Sequence, residues 1–409
     1  MESNAELKNT EVLVVGGGPA GLAAAIALRQ RGIDCVVVEA RPPGIDKACG
    51  EGLMPDSQEV LAQLGIRLSE ADGQPFGGIR FINAEHSVAA DFADGNGLGV
   101  RRPHLHSLLA ARAIELGARL MWESHLRLPA LLPSKSRYMN SKPLAATVNG
   151  KALRCRWLIG ADGHASTVRR WARLDRVKKQ SLRYGLRTHY HIDAENNFDR
   201  IEVHWSRGGQ LYVTPVAPDC VCVVYLSRDP RRGKTDVLAD FPEVARRLCR
   251  PNGMEVVSQQ RGAVSATCLL GRVATKHVAL IGDASGSADS ITGQGLAVSF
   301  RQALALADAI AKGSLTSYER AHSKIARLPH AMGALMLTLD RWPRMEAHAM
   351  RAFAAAPVIF SELLQAHTGT ASLAPVLLRH GPRFAWEFVT AGMFGPQSES
   401  ELVSTMSTM

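Results

Sequence analysis

The segment Lys47–Pro55, KACGEGLMP, gathers an ammonium, a thiol, a carboxylate, two glycines and a proline. Cys49 offers a polarizable nucleophile or acid, while Lys47 and Glu51 offer charge or a transferable proton. Gly50 and Gly52 let the backbone at Glu51 approach another group closely. The plain alternative is a turn capping the helix expected over PDSQEVLAQLG, with Cys49 simply buried.

The elements around this segment carry a second kind of chemistry. Residues 11–40, EVLVVGGGPAGLAAAIALRQRGIDCVVVEA, read as an apolar strand, a glycine turn, an alanine-rich helix and a β-branched strand. Gly16, Gly18 and Gly21 fit G-x-G-x-x-G, with Pro19 and Ala20 opening the helix. The glycines give a tight turn, close backbone approach to a pyrophosphate and close helix-on-strand packing. The helix N-terminus turns unpaired N–H groups and a positive dipole end toward the diphosphate. Glu39, followed by Ala40 and Arg41, stands at the second strand's end, where a carboxylate binds an adenosine ribose hydroxyl. Strand, helix, strand and acid in this order predict dinucleotide binding.

Two further glycine–aspartate turns follow apolar strands. RWLIGADGHASTVRR ends a strand at Asp162 and Gly163, and HVALIGDASGSADSITGQG ends one at Gly282 and Asp283 before a long helix opens near Gly293, Gln294 and Gly295. A carboxylate at a strand end accepts hydrogen bonds from a sugar-alcohol chain, and a helix N-terminus stabilises negative charge on a ring.

With GGGPAG plus Glu39, GADGHASTVR and GDASGSADSITGQG in order, the chain resembles, over residues 11–330, the FAD-dependent family of the para-hydroxybenzoate hydroxylases and geranylgeranyl reductases. The resemblance implies FAD as cofactor, Asp283 on its ribityl chain and Gly293 to Gly295 beside the isoalloxazine ring. It also implies that Arg102 contacts FAD, with Arg101 an adjacent competitor. Many hydroxylases of the family carry a proline before the last glycine turn, where this chain has Ser290 and Ile291, closer to the reductase branch. In that branch a Lys-x-Cys-Gly segment runs back along the flavin, and DKACGEGLMP is similar to it. The resemblance therefore makes Cys49, Glu51 and Lys47 the catalytic candidates.

The implied fold is α/β: a Rossmann-like, glutathione reductase-type FAD-binding domain at 8–180 and 266–330, an inserted antiparallel β-sheet substrate domain at 181–265, and a helical C-terminal region at 331–409. Alternating runs between 181 and 229 predict the sheet. On SLRYGLRTHYHI, Arg187, His189 and His191 share one face, either lining a substrate cavity or facing solvent. The C-terminal HAMGALMLTLDRWPRMEAHAMRAFAAAPVIFSELLQAH and LAPVLLRHGPRFAWEFVTAGMF repeat Met, Leu, Phe and Trp at helical spacing, which suits core packing, a long aliphatic substrate or a peripheral membrane contact.

Composition narrows the class. The 409 residues are 46% hydrophobic and 21% charged, enough for a sizeable core. The net charge of +10 lies in short dispersed groups without interleaved aromatics, which argues against nucleic acid and for attraction of anionic dinucleotides or an acidic membrane surface. Seven cysteines without paired spacing form no disulfide framework, and Cys220 and Cys222 read as buried strand thiols rather than metal ligands. With no signal-peptide pattern and no apolar run that spans a bilayer, the expected setting is cytoplasmic.

These features give three competing expectations. The leading one is a monooxygenase that takes reductant transiently from NAD(P)H, captures O2 as a flavin C4a-hydroperoxide and hydroxylates an aromatic, phenolic or lipid-like substrate. Its rival reduces isoprenoid C=C bonds, and the third is a flavin-binding interaction protein. No Trp-x-Trp-x-Ile-Pro segment occurs, which disfavours halogenation.

Overall fold

The computed structural model describes residues 9–129, 144–232, 236–376 and 378–382. Its helices are α1 (Pro19–Arg29), α2 (Pro55–Gln63), α3 (Arg102–Glu115), α4 (Thr167–Trp171), α5 (Pro242–Leu248), α6 (Gly295–Ala311), α7 (Thr316–Arg341), α8 (Pro343–Ala355) and α9 (Pro357–Thr368).

A seven-stranded sheet forms the first layer. Arg119–Met121, Cys35–Val38, Asn9–Val15 and Lys151–Gly160 run parallel in that order. Val278–Leu280 pairs in parallel with the end of Lys151–Gly160, while Leu144–Val148 pairs antiparallel with its start. The central strands are apolar along their whole length because helices cover both faces of a parallel sheet. Val12 to Val14, Leu22 to Leu28 and Val278 to Ile281 are fully buried in this core, together with Phe300 and Ala303 of α6. This layer brings three strand ends, at Val15, Gly160 and Leu280, to one edge.

The second sheet is also seven-stranded, in the order Arg261–Leu270, Val177–His191, Cys220–Ser227, Gly209–Ala217, Ile201–Ser206, Gly78–Ile82, Ser87–Asp91. All neighbours are antiparallel except Ile201–Ser206 beside Gly78–Ile82. The α/β architecture with an antiparallel insertion is thus as expected, and the sheet recruits two strands from Gly78–Asp91, well before the stretch whose alternation is plainest.

Beyond α6, prolines shape the chain. Pro343 and Pro357 open α8 and α9 at their first turns, where a missing N–H costs nothing. Phe353, Ile359, Phe360 and Leu364 of these helices pack on Phe81, Val203 and Trp205 of the second sheet. The end of the second expected apolar segment, from residue 383, lies outside the described residues.

Candidate active site

The three strand ends open into one cavity of about 860 Å3 that continues beneath the second sheet. At the first strand end the glycines divide by role. Gly16 has φ +110°, and a Cβ there would lie 2.4 Å from the Ala161 carbonyl oxygen. A Cβ on Gly21 would lie 1.9 Å from the Gly16 carbonyl oxygen. Both glycines are therefore demanded by packing. Gly18 differs, since a Cβ there would meet nothing within 4 Å and would point into open space. Gly18 is also the N-cap of α1 without any side-chain cap, so the first-turn N–H groups remain available to an anion. Pro19 and Ala20 line the same space, and Gly21 lies behind it.

Glu39, Ala40 and Arg41 line the cavity as well. The Glu39 carboxylate accepts from the Gly17 N–H at 2.7 Å and the Arg41 N–H at 2.9 Å, which fixes it beside the glycine turn with lone pairs left for a hydroxyl. The turn is braced from below by His106, whose Nε2 lies 2.9 Å from the Gly17 carbonyl oxygen. Burial holds the His106 ring below the ordinary histidine range, so it stays neutral and donates.

The second strand end presents Asp162 and Gly163 to the cavity. Asp162 caps α4, accepting from Ser166 Oγ at 2.5 Å, Thr167 N at 2.6 Å and Val168 N at 3.1 Å. Arg169 of α4 reaches across to the third strand end, donating to the carbonyl of Ala284 at 3.2 Å. There Gly282 has φ +60°, and a Cβ would lie 2.7 Å from Ala20 Cβ, so the backbone passes α1 closely. Asp283 faces the cavity, paired with Lys47 at 3.2 Å.

The α6 N-terminus completes this wall. Gly293 is left-handed at φ +65°, and Gly295, like Gly18, would turn a Cβ into open space. Gln294 does not line the cavity: its side chain donates to the His367 carbonyl, and the His367 Nε2 lies 2.8 Å from the Thr292 carbonyl oxygen. The C-terminus of α9 thus locks the turn, a partnership for which the sequence carries no local signal.

Lys47 to Gly52 line the cavity residue after residue. Glu51, at φ +59°, holds a conformation rare for a side-chain-bearing residue. Its buried carboxylate secures it: Oε1 accepts from the Arg102 N–H at 2.8 Å, and Oε2 lies 2.6 Å from His189 Nε2. The two competing arginines separate here. Arg102 lines the cavity, whereas the Arg101 guanidinium turns to Glu51 Oε2 at 3.7 Å. Cys49 lines the cavity too, its sulfur accepting from the Glu51 N–H at 3.4 Å.

The sheet-borne candidates depart from both expectations. Arg187 and His189 share a face, but neither side chain lines the cavity or meets solvent: both are fully buried against the Asp46–Glu51 loop. Arg187 pairs with Asp46 and His189 with Glu51. Burial is the largest single influence on both, but hydrogen bonding and attraction between opposite charges together outweigh it, raising the Arg187 pKa and lowering that of Asp46. His191 sits apart, between Asp219 and Glu255 at the sheet's margin. Donor atoms of Glu51, His189 and Cys222 fall within 4.8 Å of one another, but they do not suit a cation. Both carboxylate oxygens are taken, Arg187 stands beside the group, and burial pushes the Cys222 thiol far above its ordinary range. Burial likewise holds Cys220 at about 11, so both read as inert thiols.

Past Met54 the cavity becomes apolar. Ile79, Phe81, Ile201 and Val203 of the sheet face Met332, Met336, Leu339, Phe353, Phe360, Leu363 and Leu364 of α7 to α9. Tyr212 and Thr214 also line this chamber. The Tyr212 hydroxyl is anchored on Gln210 at 3.0 Å, and Gln210 is held by Arg183, which also pairs with Asp289.

A family model described as "FAD binding domain" matches residues 9–321. The chain belongs to that family. FAD fits the cleft on the geometry above: Gly18 and Gly295 both line the cavity at a helix N-terminus, and at each the missing Cβ leaves open space. The chain is 27% identical over 293 residues to a rifampicin monooxygenase of Rhodococcus hoagii, covering 68% of this chain and 55% of that one. It is 33% identical over 194 residues to a menaquinone reductase of Mycobacterium tuberculosis, covering 45% and 46%. The chain thus matches about half the length of each. Among solved structures, a flavoprotein/dehydrogenase from Cytophaga hutchinsonii shares the fold at a TM-score of 0.72 and 18% identity, covering 88% of this chain and 93% of that one. Among the described residues no helix is long and apolar enough to cross a membrane.

Proposed function

We propose that this chain is an FAD-dependent monooxygenase that hydroxylates an aromatic or phenolic substrate with a lipid-like body, reduced in passing by NAD(P)H. The observation that carries the reading is the continuity of the cavity: the FAD-side glycine turns and the apolar chamber under the sheet form one space. Bound FAD supplies two-electron redox chemistry and, once reduced, reactivity toward O2.

The chain's own residues bind, orient and exclude water. The α1 N-terminus at Gly18 takes the diphosphate, Glu39 the adenosine ribose, and Asp283 with Lys47 the ribityl chain. The α6 N-terminus at Gly295 places its positive dipole end where negative charge on the ring is stabilised. Leu339, Phe353, Phe360 and Leu364 keep water from the reacting edge, and Tyr212 and Thr214 orient the substrate's polar end. The kinship with a rifampicin monooxygenase supports this reading.

A second reading, reduction of a C=C bond on an isoprenoid or quinone, is favoured by the Cys49 thiol on the cavity wall and by the menaquinone reductase relative. One experiment separates them. NAD(P)H oxidation is followed with phenols and prenylated quinones, with and without O2. Hydroxylation requires O2 and places one labelled oxygen atom from dioxygen in the product. Anaerobic turnover to a saturated C=C bond would sink the monooxygenase reading.

A further inference from the structure

The apolar sides of α7 and α8 are spent on the cavity and the second sheet, and the outward side of α7 carries a different pattern. Arg320, Lys324, Arg327, Ala331, Ala334 and Arg341 are all exposed. They follow one another at three, four or seven residues, which sets them on one side of the helix. Trp342, directly after the helix, is 54% exposed, and the Arg341 guanidinium stands 5.7 Å from its ring centroid. Arg344, in the first turn of α8, is exposed as well.

This row has no counter-ion of its own. The acids on the same two helices are committed elsewhere: Glu319 to Arg272 at 3.4 Å, Asp340 to Arg183 and Arg228, and the half-buried Glu346 to Asn83 at 2.8 Å. Among the described residues no carboxylate pairs with Arg320, Lys324, Arg327, Arg341 or Arg344. A row of like charges left uncompensated in this way attracts anions. The row also borders the cavity. Leu335, 41% exposed at the margin of the row, is itself part of the cavity wall, flanked on the inner side of α7 by Met332 and Met336. Cations, an exposed tryptophan and the wall of the apolar chamber thus meet on one helix.

We propose that the outward face of α7 docks on an anionic lipid surface and turns the Leu335 margin of the cavity toward the bilayer. The cations of the row contact lipid headgroups, and Trp342 sits at the level where an amphipathic ring is best accommodated. An acidic soluble partner would match the charges alone. The exposed tryptophan at the end of the row and the apolar chamber behind Leu335 are what a bilayer matches in addition. Entry of a lipid-like substrate by this route rests on the function proposed above, whereas docking is measured without turnover, so either can fail while the other stands.

The test is co-sedimentation of the FAD-loaded chain with vesicles of phosphatidylcholine alone and of phosphatidylcholine mixed with phosphatidylglycerol. Wild type is expected on the mixed vesicles, not on the neutral ones, and is expected to come off in high salt. Reversing the row in Arg320→Glu/Lys324→Glu/Arg327→Glu should weaken partitioning about tenfold or more, with FAD content and melting temperature unchanged. If that variant folds poorly, Trp342→Phe carries the test: brominated phosphatidylcholine in the mixed vesicles should quench tryptophan emission in wild type, and the variant should lose that quenching. No binding of wild type to the mixed vesicles, equal binding by the reversed variant, or equal quenching in Trp342→Phe overturns the proposal. Retention on immobilised polyglutamate without vesicle binding would give the face to an acidic polypeptide and overturn it equally.

Discussion

Replacing Gly18 and Gly21 separately should divide cofactor binding from folding. An added Cβ at Gly21 lies 1.9 Å from the Gly16 carbonyl oxygen, a backbone atom that cannot rotate away. Gly21→Ala must therefore shift α1 or the turn, at an overpacking cost of about 1–3 kcal/mol. Alanine's better helix propensity offsets less than about 1 kcal/mol of that. A net loss of about 2 kcal/mol should lower the melting temperature of the cofactor-free protein by a few degrees. Gly18→Val starts from the opposite geometry, because nothing lies within 4 Å of its Cβ. Its backbone, at φ −71° and ψ 176°, is open to any residue, and losing a glycine N-cap costs at most about 1 kcal/mol. The valine methyls instead fill the space assigned to the diphosphate. Crowding of about 1–3 kcal/mol there weakens FAD roughly 5- to 150-fold. Thermal unfolding of the cofactor-free proteins and fluorescence titration with FAD read the two effects. Wild-type FAD affinity in Gly18→Val, or wild-type stability in Gly21→Ala, would refute the assignment of roles.

Asp283→Ala should weaken FAD by about 1–3 kcal/mol, because it removes an acceptor from the cavity and leaves Lys47 without its partner; flavin release on dilution measures this. Cys49→Ala should leave hydroxylation coupled and FAD bound if the thiol only packs, whereas loss of most of kcat under anaerobic turnover would support the reductase reading instead. Burial, aided by His330, drops the His322 pKa from 6.5 to about 4 beside Ser285 of the third glycine turn. The folded pKa lies below the unfolded one, so this contribution is complete above 6.5 and is lost as pH falls toward about 4. Denaturant titrations should therefore show His322→Gln losing less stability than wild type across that window, and parallel losses would contradict it.

The nucleotide end of the site was legible in the sequence because its requirements are local. A positive φ at Gly16, a helix N-terminus one residue after Gly18 and an acid at the end of the next strand are properties of about 25 consecutive residues. The same holds for the turns at Gly282 and Gly293 and for the alternation that announced the second sheet. The direction in which that alternation faces was not legible. Arg187 and His189 read as a polar face, yet they point inward, because Asp46 and Glu51, 141 and 138 residues earlier in the chain, supply the partners that make burying them tolerable. Choosing Arg102 over Arg101 likewise depended on where Glu51 stands, and the lock of His367 on Thr292 joins residues 75 apart. Sequence determined which turns can hold a dinucleotide, since backbone conformation and helix ends are set by near neighbours. Tertiary structure alone decided which polar groups face the cavity and which brace its wall from behind, since a buried charge is placed by whichever distant residue neutralises it.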